Sequence, residues 1–221
     1  MSARLLSLCL VITLGMLASP VLAQSTNATP IVIQNTNPVD LATLPLNDDN
    51  KKLLQGTIDQ LKAGTYLNSI FVSSANGALT TYYSSVPTLR TGLAETARVA
   101  LEICEYFAKA PCIILAVNGH DARDANGDWP VQPKMLDYDP GSKLDVWRTP
   151  FNSQINRTFA GTLPDLPSPE VVVVSTAGGW TSSSGKSIFE AIDTALANCQ
   201  KTYPNNVCIL YSVNGRIVMA Q

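Results

Sequence analysis

The feature that most constrains this chain is an internal match that brings a pair of cysteines with it each time. Ala100-Leu101-Glu102-Ile103-Cys104 parallels Ala195-Leu196-Ala197-Asn198-Cys199. Cys112-Ile113-Ile114-Leu115-Ala116-Val117-Asn118-Gly119 parallels Cys208-Ile209-Leu210-Tyr211-Ser212-Val213-Asn214-Gly215. Upstream, Pro45-Leu46-Asn47 answers Pro150-Phe151-Asn152, and eleven residues after each proline Gly56-Thr57 answers Gly161-Thr162. Ser73-Ser74-Ala75-Asn76-Gly77 likewise answers Ser175-Thr176-Ala177-Gly178-Gly179. Several blocks in the same order mark a duplicated unit, which must be recognised before any fold is assigned.

Each copy reads as helix, strand, helix, strand. Asn47 or Asp48 caps a first helix with Leu54, Ile58 and Leu61 on one face. Its counterpart starts near Asn152, carries Ile155, Phe159 and Leu163, and must end by Pro164. The β-branched runs around Ile70 and Val171–Val174 predict strands buried on both faces. The second helices place Leu93, Ala97, Ala100, Leu101, Cys104 and Phe107, or Ile188, Ile192, Ala195, Leu196 and Cys199, at helical spacing. Ser187 with Glu190 forms a capping-box pattern, and Asn-Gly ends each second strand as a turn pair. Four cysteines allow three pairings. Recurrence of the same short spacing favours Cys104–Cys112 with Cys199–Cys208, each tying a helix end to the following strand. Zinc is the competing use, but the spacing is long for a metal knuckle and the chain has 1 histidine.

The Ala-Leu-x-x-Cys pattern, a short loop, and Cys-x-Leu-Tyr-x-Val resemble a loose group of uncharacterised secreted bacterial proteins. The stretch from Pro150 to Val218 matches best, while the first copy has Leu115 in place of the tyrosine. The resemblance implies a bacterial periplasmic or secreted protein and carries no activity.

Residues 1–23 have the layout of a secretory signal: Arg4, an apolar run from Leu5 to Leu17, and Val21-Leu22-Ala23 before Gln24. The apolar run is short for a membrane span. Cys9 lies inside it, preceded by Leu8, which argues against lipid attachment. Arg4 is the one charged residue of this segment, so cleavage moves the net charge from −2 to −3. That mild, mixed charge points away from nucleic acid. Loss of Cys9 leaves an even set of cysteines in an oxidising compartment. Residues 24–44 read as a flexible leader with one short strand at Ile31-Val32-Ile33, 45–119 as the first unit, 120–149 as a bridge and 150–221 as the second unit. Asn27 and Asn156 begin glycosylation acceptors that matter only in a eukaryotic source.

Four features invite a chemical reading. Gly178–Ser187 imitates a phosphate-binding loop, but five residues rather than four separate Gly179 from Gly185-Lys186-Ser187. A turn capping the next helix is the simpler assignment. His120 follows the first Asn-Gly, with Asp121 and Asp124 nearby, an arrangement that offers a general base without a nucleophile motif. Asp124, Asn126 and Asp128 form an oxygen-rich loop, yet Trp129 stands where a calcium loop needs glycine. Trp129, Trp147, Trp180 and Tyr138 fall near loops, where aromatics line sugar or peptide grooves or close a core.

The expected fold is α/β or α+β, with duplicated units whose strands share one sheet, a ferredoxin-like arrangement being one form of it. The expected function is a non-catalytic binding or accessory protein of the periplasm or envelope, with no cofactor or metal. An exported protein or cell-wall glycan is the expected partner. Contacts are expected at His120, Asp121, Asp124, Trp129, Trp147 and Trp180, and an enzyme using His120 with Asp121 and Asp124 is the alternative.

Overall fold

A computed structural model describes residues 37–219, apart from 76, 78–79, 86–91, 131, 133–138, 145–148 and 152–166. A 3₁₀ turn at Leu41–Thr43 leads into α1, Asp48–Lys62. Then follow β1 (Asn68–Ser74), β2 (Thr80–Ser85), α2 (Leu93–Ala108), β3 (Cys112–Val117) and β4 (His120–Asp121). The second half contributes β5 (Glu170–Ser175), β6 (Trp180–Ser184), α3 (Ile188–Thr202), β7 (Cys208–Val213) and β8 (Arg216–Ile217). The expected helix at Asn152–Leu163 and the leader strand at Ile31–Ile33 lie outside the described residues, as do Trp147 and Tyr138.

The mixed helix and strand content is as expected, but the strands do not share one sheet. They form two four-stranded antiparallel sheets, ordered β2-β1-β3-β4 and β6-β5-β7-β8. The extra strands β2 and β6 supply what a two-strand unit lacks, so each half completes its own sheet. The ferredoxin-like arrangement is therefore not the one adopted. Both halves also carry a bulge at the same register, between Phe71 and Val72 and between Val172 and Val173.

Local chemistry accounts for the common frame. The side chain of Asn47 accepts from the Asn50 N–H at 2.8 Å and caps α1. Ser187 does the same for α3 through Glu190 N–H, while the Glu190 carboxylate accepts from Lys186 N–H at 2.9 Å. Asn118 and Asn214 adopt positive φ of 50° and 49°, each followed by a positive-φ glycine, as a tight hairpin requires. Each also grips the start of the central strand. The Asn118 amide oxygen accepts from Ser69 N–H, and that of Asn214 from Glu170 N–H.

The equivalence reaches further upstream than the sequence blocks. Val39 N–H donates to Gly119 and Asp121 N–H to Asn37; in the second half Leu144 N–H donates to Gly215 and Ile217 N–H to Ser142. Asn37–Val39 and Ser142–Leu144 thus lie antiparallel to β4 and β8. Residues 37–44, expected as part of a flexible leader, belong to the first half, and Leu44 is buried. The two ends of the expected 120–149 bridge are likewise built into the halves.

The layers stack as α1, first sheet, α2, second sheet, α3. Leu54 of α1 packs on Phe71 and Leu115. The opposite face of that sheet, with Ile70, Val72 and Ile114, meets Ala97, Ala100, Leu101 and Cys104 of α2. The other side of α2 presents Val99 and Ile103 to Val172, Val174 and Tyr211 of the second sheet. Val171 and Val173 face Ala191, Ala195 and Cys199 of α3. Helix α2 is thus buried on two sides, one against each sheet. In α3 the positions matching Val99 and Ile103 are Thr194 and Asn198, both exposed. Phe107 and Ile188, expected on inner faces, are 45% and 41% exposed.

Both expected disulfides form: Cys104–Cys112 with Cα atoms 6.2 Å apart and Cys199–Cys208 at 6.0 Å. Replacing Cys104 and Cys112 by serine should lower stability by about 2–3 kcal/mol, on loop-closure grounds. Urea unfolding of the oxidised parent and the variant measures this difference.

Candidate functional site

Asp121 and His120 are neighbours on β4, so strand alternation sends their side chains to opposite faces. Asp121 is 3% exposed. Both of its carboxylate oxygens accept from Arg123 Nε, at 3.1 and 2.9 Å, and Oδ2 also accepts from Arg123 Nη2. The Arg123 backbone N–H donates to Oδ1 at 2.9 Å. Nη2 reaches the Thr43 hydroxyl, and the guanidinium lies 5.5 Å from the centre of the Trp129 ring. The cluster pins the chain after β4 to the segment ahead of α1. Burial pushes the Asp121 carboxyl upward, but hydrogen bonds from the side chain and backbone of Arg123, with its charge, outweigh burial and hold it below 3.8. An aspartate lowered in this way stabilises the fold above its ordinary value, and the contribution drains away as pH falls through the folded value. Asp121→Asn should therefore lose stability at neutral pH, with the gap to the parent closing below about pH 4. Thermal unfolding across pH 2–7 reads the gap.

Asp124 is also engaged. Its Oδ1 accepts from the N–H groups of Asn126 and Asp128 at 2.8 and 3.1 Å, and its own N–H donates to the Asp128 carbonyl. The oxygen-rich loop is thus folded on its own backbone, as Asx turns are. Among the described residues no group of three or more His, Cys, Asp or Glu is placed to hold a metal ion. Trp129 closes the cluster beneath α1, with its indole nitrogen buried and unpaired. Arg123 links Asp121 to Trp129, strand alternation turns His120 to the other face, and Trp180 lies in the second sheet.

The phosphate-loop look-alike is divided by a strand. Gly178 and Gly179 belong to the hairpin between β5 and β6, and Ser182–Ser184 run along β6 before Lys186 is reached. The expected single turn from strand to helix is therefore a hairpin, an edge strand and then a cap. Gly179 is packed tightly, since a Cβ there would collide with the ring and hydroxyl of Tyr203.

A second polar group had no motif to announce it. On the face of the second sheet that carries Val172 and Val174 stand Glu170, Ser182, Ser184 and Ser212. Glu170 is directly opposite Ser184, and Val172 is flanked by Ser182 on one side and Ser212 on the other. Glu170 Oε1 and Ser212 Oγ are buried without a hydrogen-bond partner, and Ser212 is 0% exposed. Burial raises the Glu170 carboxyl above 4.5. The sign is opposite to that of Asp121: a raised carboxyl contributes stability fully below 4.5 and loses it as pH rises through the folded value. Glu170→Gln should accordingly be more stable than the parent at pH 7, with the gain gone in acid. Parallel urea titrations at pH 4 and pH 7 test it.

Compared with known proteins, the chain matches no family model, no curated protein and no solved structure.

Proposed function

We propose that this is an exported, non-catalytic binding or accessory protein of the bacterial periplasm or cell surface. We read its two halves as a duplication. The observation that carries the non-catalytic reading is that Asp121 points to the opposite face of β4 from His120 and is held there by Arg123. Two disulfides fit an oxidising compartment, and among the described residues no helix is long and apolar enough to cross a membrane. The signal-like first 23 residues support export, with cleavage before Gln24.

Native purification after mild cross-linking, followed by mass spectrometry of what accompanies the protein, tests the binding reading. A recurrent protein or glycan companion is the expected result, and a protein recovered alone from every extract counts against it. His120→Ala should leave all biological effect intact; loss of effect with the fold preserved would restore the enzyme reading.

A further inference from the structure

Among the described residues three asparagines precede a glycine: Asn118, Asn126 and Asn214. Glycine has no Cβ to shield its backbone nitrogen, so in each pair that nitrogen is placed to attack the preceding carboxamide. The fold treats the three differently. Asn118 Oδ1 accepts from Ser69 N–H at 2.7 Å, and its Nδ2 donates to Asn68 at 3.4 Å. A Cβ built on Gly119 would stand 3.3 Å from Ile58, so the backbone there is closely walled as well. Asn214 is exposed, yet its Oδ1 accepts from Glu170 N–H at 3.0 Å and from the Ser168 hydroxyl at 3.3 Å. Both carboxamides are tied to the start of a central strand, and both asparagines hold positive φ.

Asn126 is exposed, and the groups that hold its turn are the backbone and Asp124 rather than its own carboxamide. The N–H groups of Asn126 and Asp128 donate to Asp124 Oδ1, and Gly127 N–H donates to the Asp124 carbonyl at 3.1 Å. A Cβ built on Gly127 would meet no atom within 4 Å, which leaves room for a ring to close. Because the Gly127 N–H is itself hydrogen-bonded, the turn must open before attack. A surface turn opens far more often than the strands of a core.

We propose that Asn126 is a site of spontaneous self-modification, through a succinimide closed by the Gly127 nitrogen. The bond from Gly127 N to Asn126 Cγ forms and the Cγ–Nδ2 bond breaks. Nδ2 leaves as ammonia, taking the proton of the Gly127 amide. Water then opens the ring at one carbonyl or the other, giving isoaspartate or aspartate. The step consumes only water and needs no oxidant or reductant. Either product adds a negative charge between Asp124 and Asp128. Isoaspartate also lengthens the main chain by one carbon, inside a turn whose hydrogen bonds all converge on Asp124. The change runs one way, so the loop that leads from Arg123 to Trp129 records the age of the molecule.

The test incubates the full mature protein in neutral buffer for several weeks and follows each asparagine by peptide mass spectrometry. Every Asn-Gly pair, that at Asn76 included, falls on its own tryptic peptide. Asn126 should convert at least tenfold faster than Asn118 and Asn214 while the protein is folded. In concentrated urea the three rates should come within a few-fold of one another, since each asparagine then has the same glycine neighbour and no fold around it. Asp124→Ala removes the acceptor that holds the turn and should speed Asn126 several-fold, with Asn214 unchanged as the exposed control. Conversion of Asn214 in the folded protein as fast as that of Asn126 overturns the proposal, and so does an Asn126 that stays as unchanged as Asn118. A tenfold gap that persists in urea also overturns it, because the local sequence and not the fold would then set the order.

Discussion

Val99→Asp should cost more than 4 kcal/mol, enough to leave the protein largely unfolded at room temperature. Val99 is fully buried on the side of α2 that meets Val172, Val174 and Tyr211 of the second sheet. A carboxylate there enters an apolar layer, with Arg98 already bound to Glu95 and Glu102, and must either stay charged or keep its proton at neutral pH. The control is built into the molecule. Thr194 occupies the matching position of α3 and is exposed, so Thr194→Asp should change stability by no more than about 0.5 kcal/mol. Urea unfolding of both variants decides the matter, and equal effects would show that α2 does not join the two sheets.

Glu102→Ala should be nearly as damaging, at about 3–5 kcal/mol. Glu102 is fully buried and accepts from Arg98 Nη1 at 2.6 Å and from the Phe151 backbone N–H at 2.9 Å. Arg98 also binds Glu95 through Nε and Nη2, at 2.9 and 2.5 Å, and its side chain is only 11% exposed. Phe151 has φ of 61°, an uncommon setting for a bulky residue, and its ring meets Tyr106 edge-on at 5.6 Å. Removing the carboxylate therefore leaves a cation short of a partner, a buried donor with none, and a strained residue without its tether. Glu102→Gln retains an acceptor for Phe151 and should lose less. Arg98→Met with Glu102→Leu should recover part of the loss, because a buried pair removed whole costs less than one broken in half. An equal deficit in the single alanine variant and the double variant would show that the tether to Phe151, and not the ion pair, dominates.

The parts of the fold that were legible in the chain are those set by short spacing. Cys104 and Cys112, or Cys199 and Cys208, lie close enough in sequence for the connecting loop to decide their pairing. Asn118-Gly119 and Asn214-Gly215 announce a backbone conformation with little regard to surroundings. The sheets were not legible, because β2 and β6 are Thr80–Ser85 and Trp180–Ser184, strands of hydroxyls and aromatics without an apolar alternation. Their pairing comes from backbone groups along the edge of a sheet, and a polar run between an apolar strand and a helix reads as a loop. The buried polar group of the second sheet was hidden for a related reason. Ser212 sits inside an apolar strand and Glu170 at the start of another, and neither forms a motif. Their signal lies in the mismatch between halves, Ser212 against Ala116 and Glu170 against Ser69, which shows only once the register is known. By contrast, His120, Asp121 and Asp124 were visible as a polar cluster, but sequence could not show that Arg123 and the loop backbone already occupy the carboxylates.

The layered order has a consequence for growth. A stack of sheets and helices is open at its ends, and another sheet can be added wherever a helix shows an apolar outer stripe. Helix α2 has that stripe in Val99 and Ile103 and is covered by the second sheet. Helix α3 has Thr194 and Asn198 instead, and these exposed polar residues make it a terminal cap. Thr194→Val with Asn198→Ile would reopen that end, and self-association of such a protein would show how few residues separate a finished molecule from the first link of a polymer.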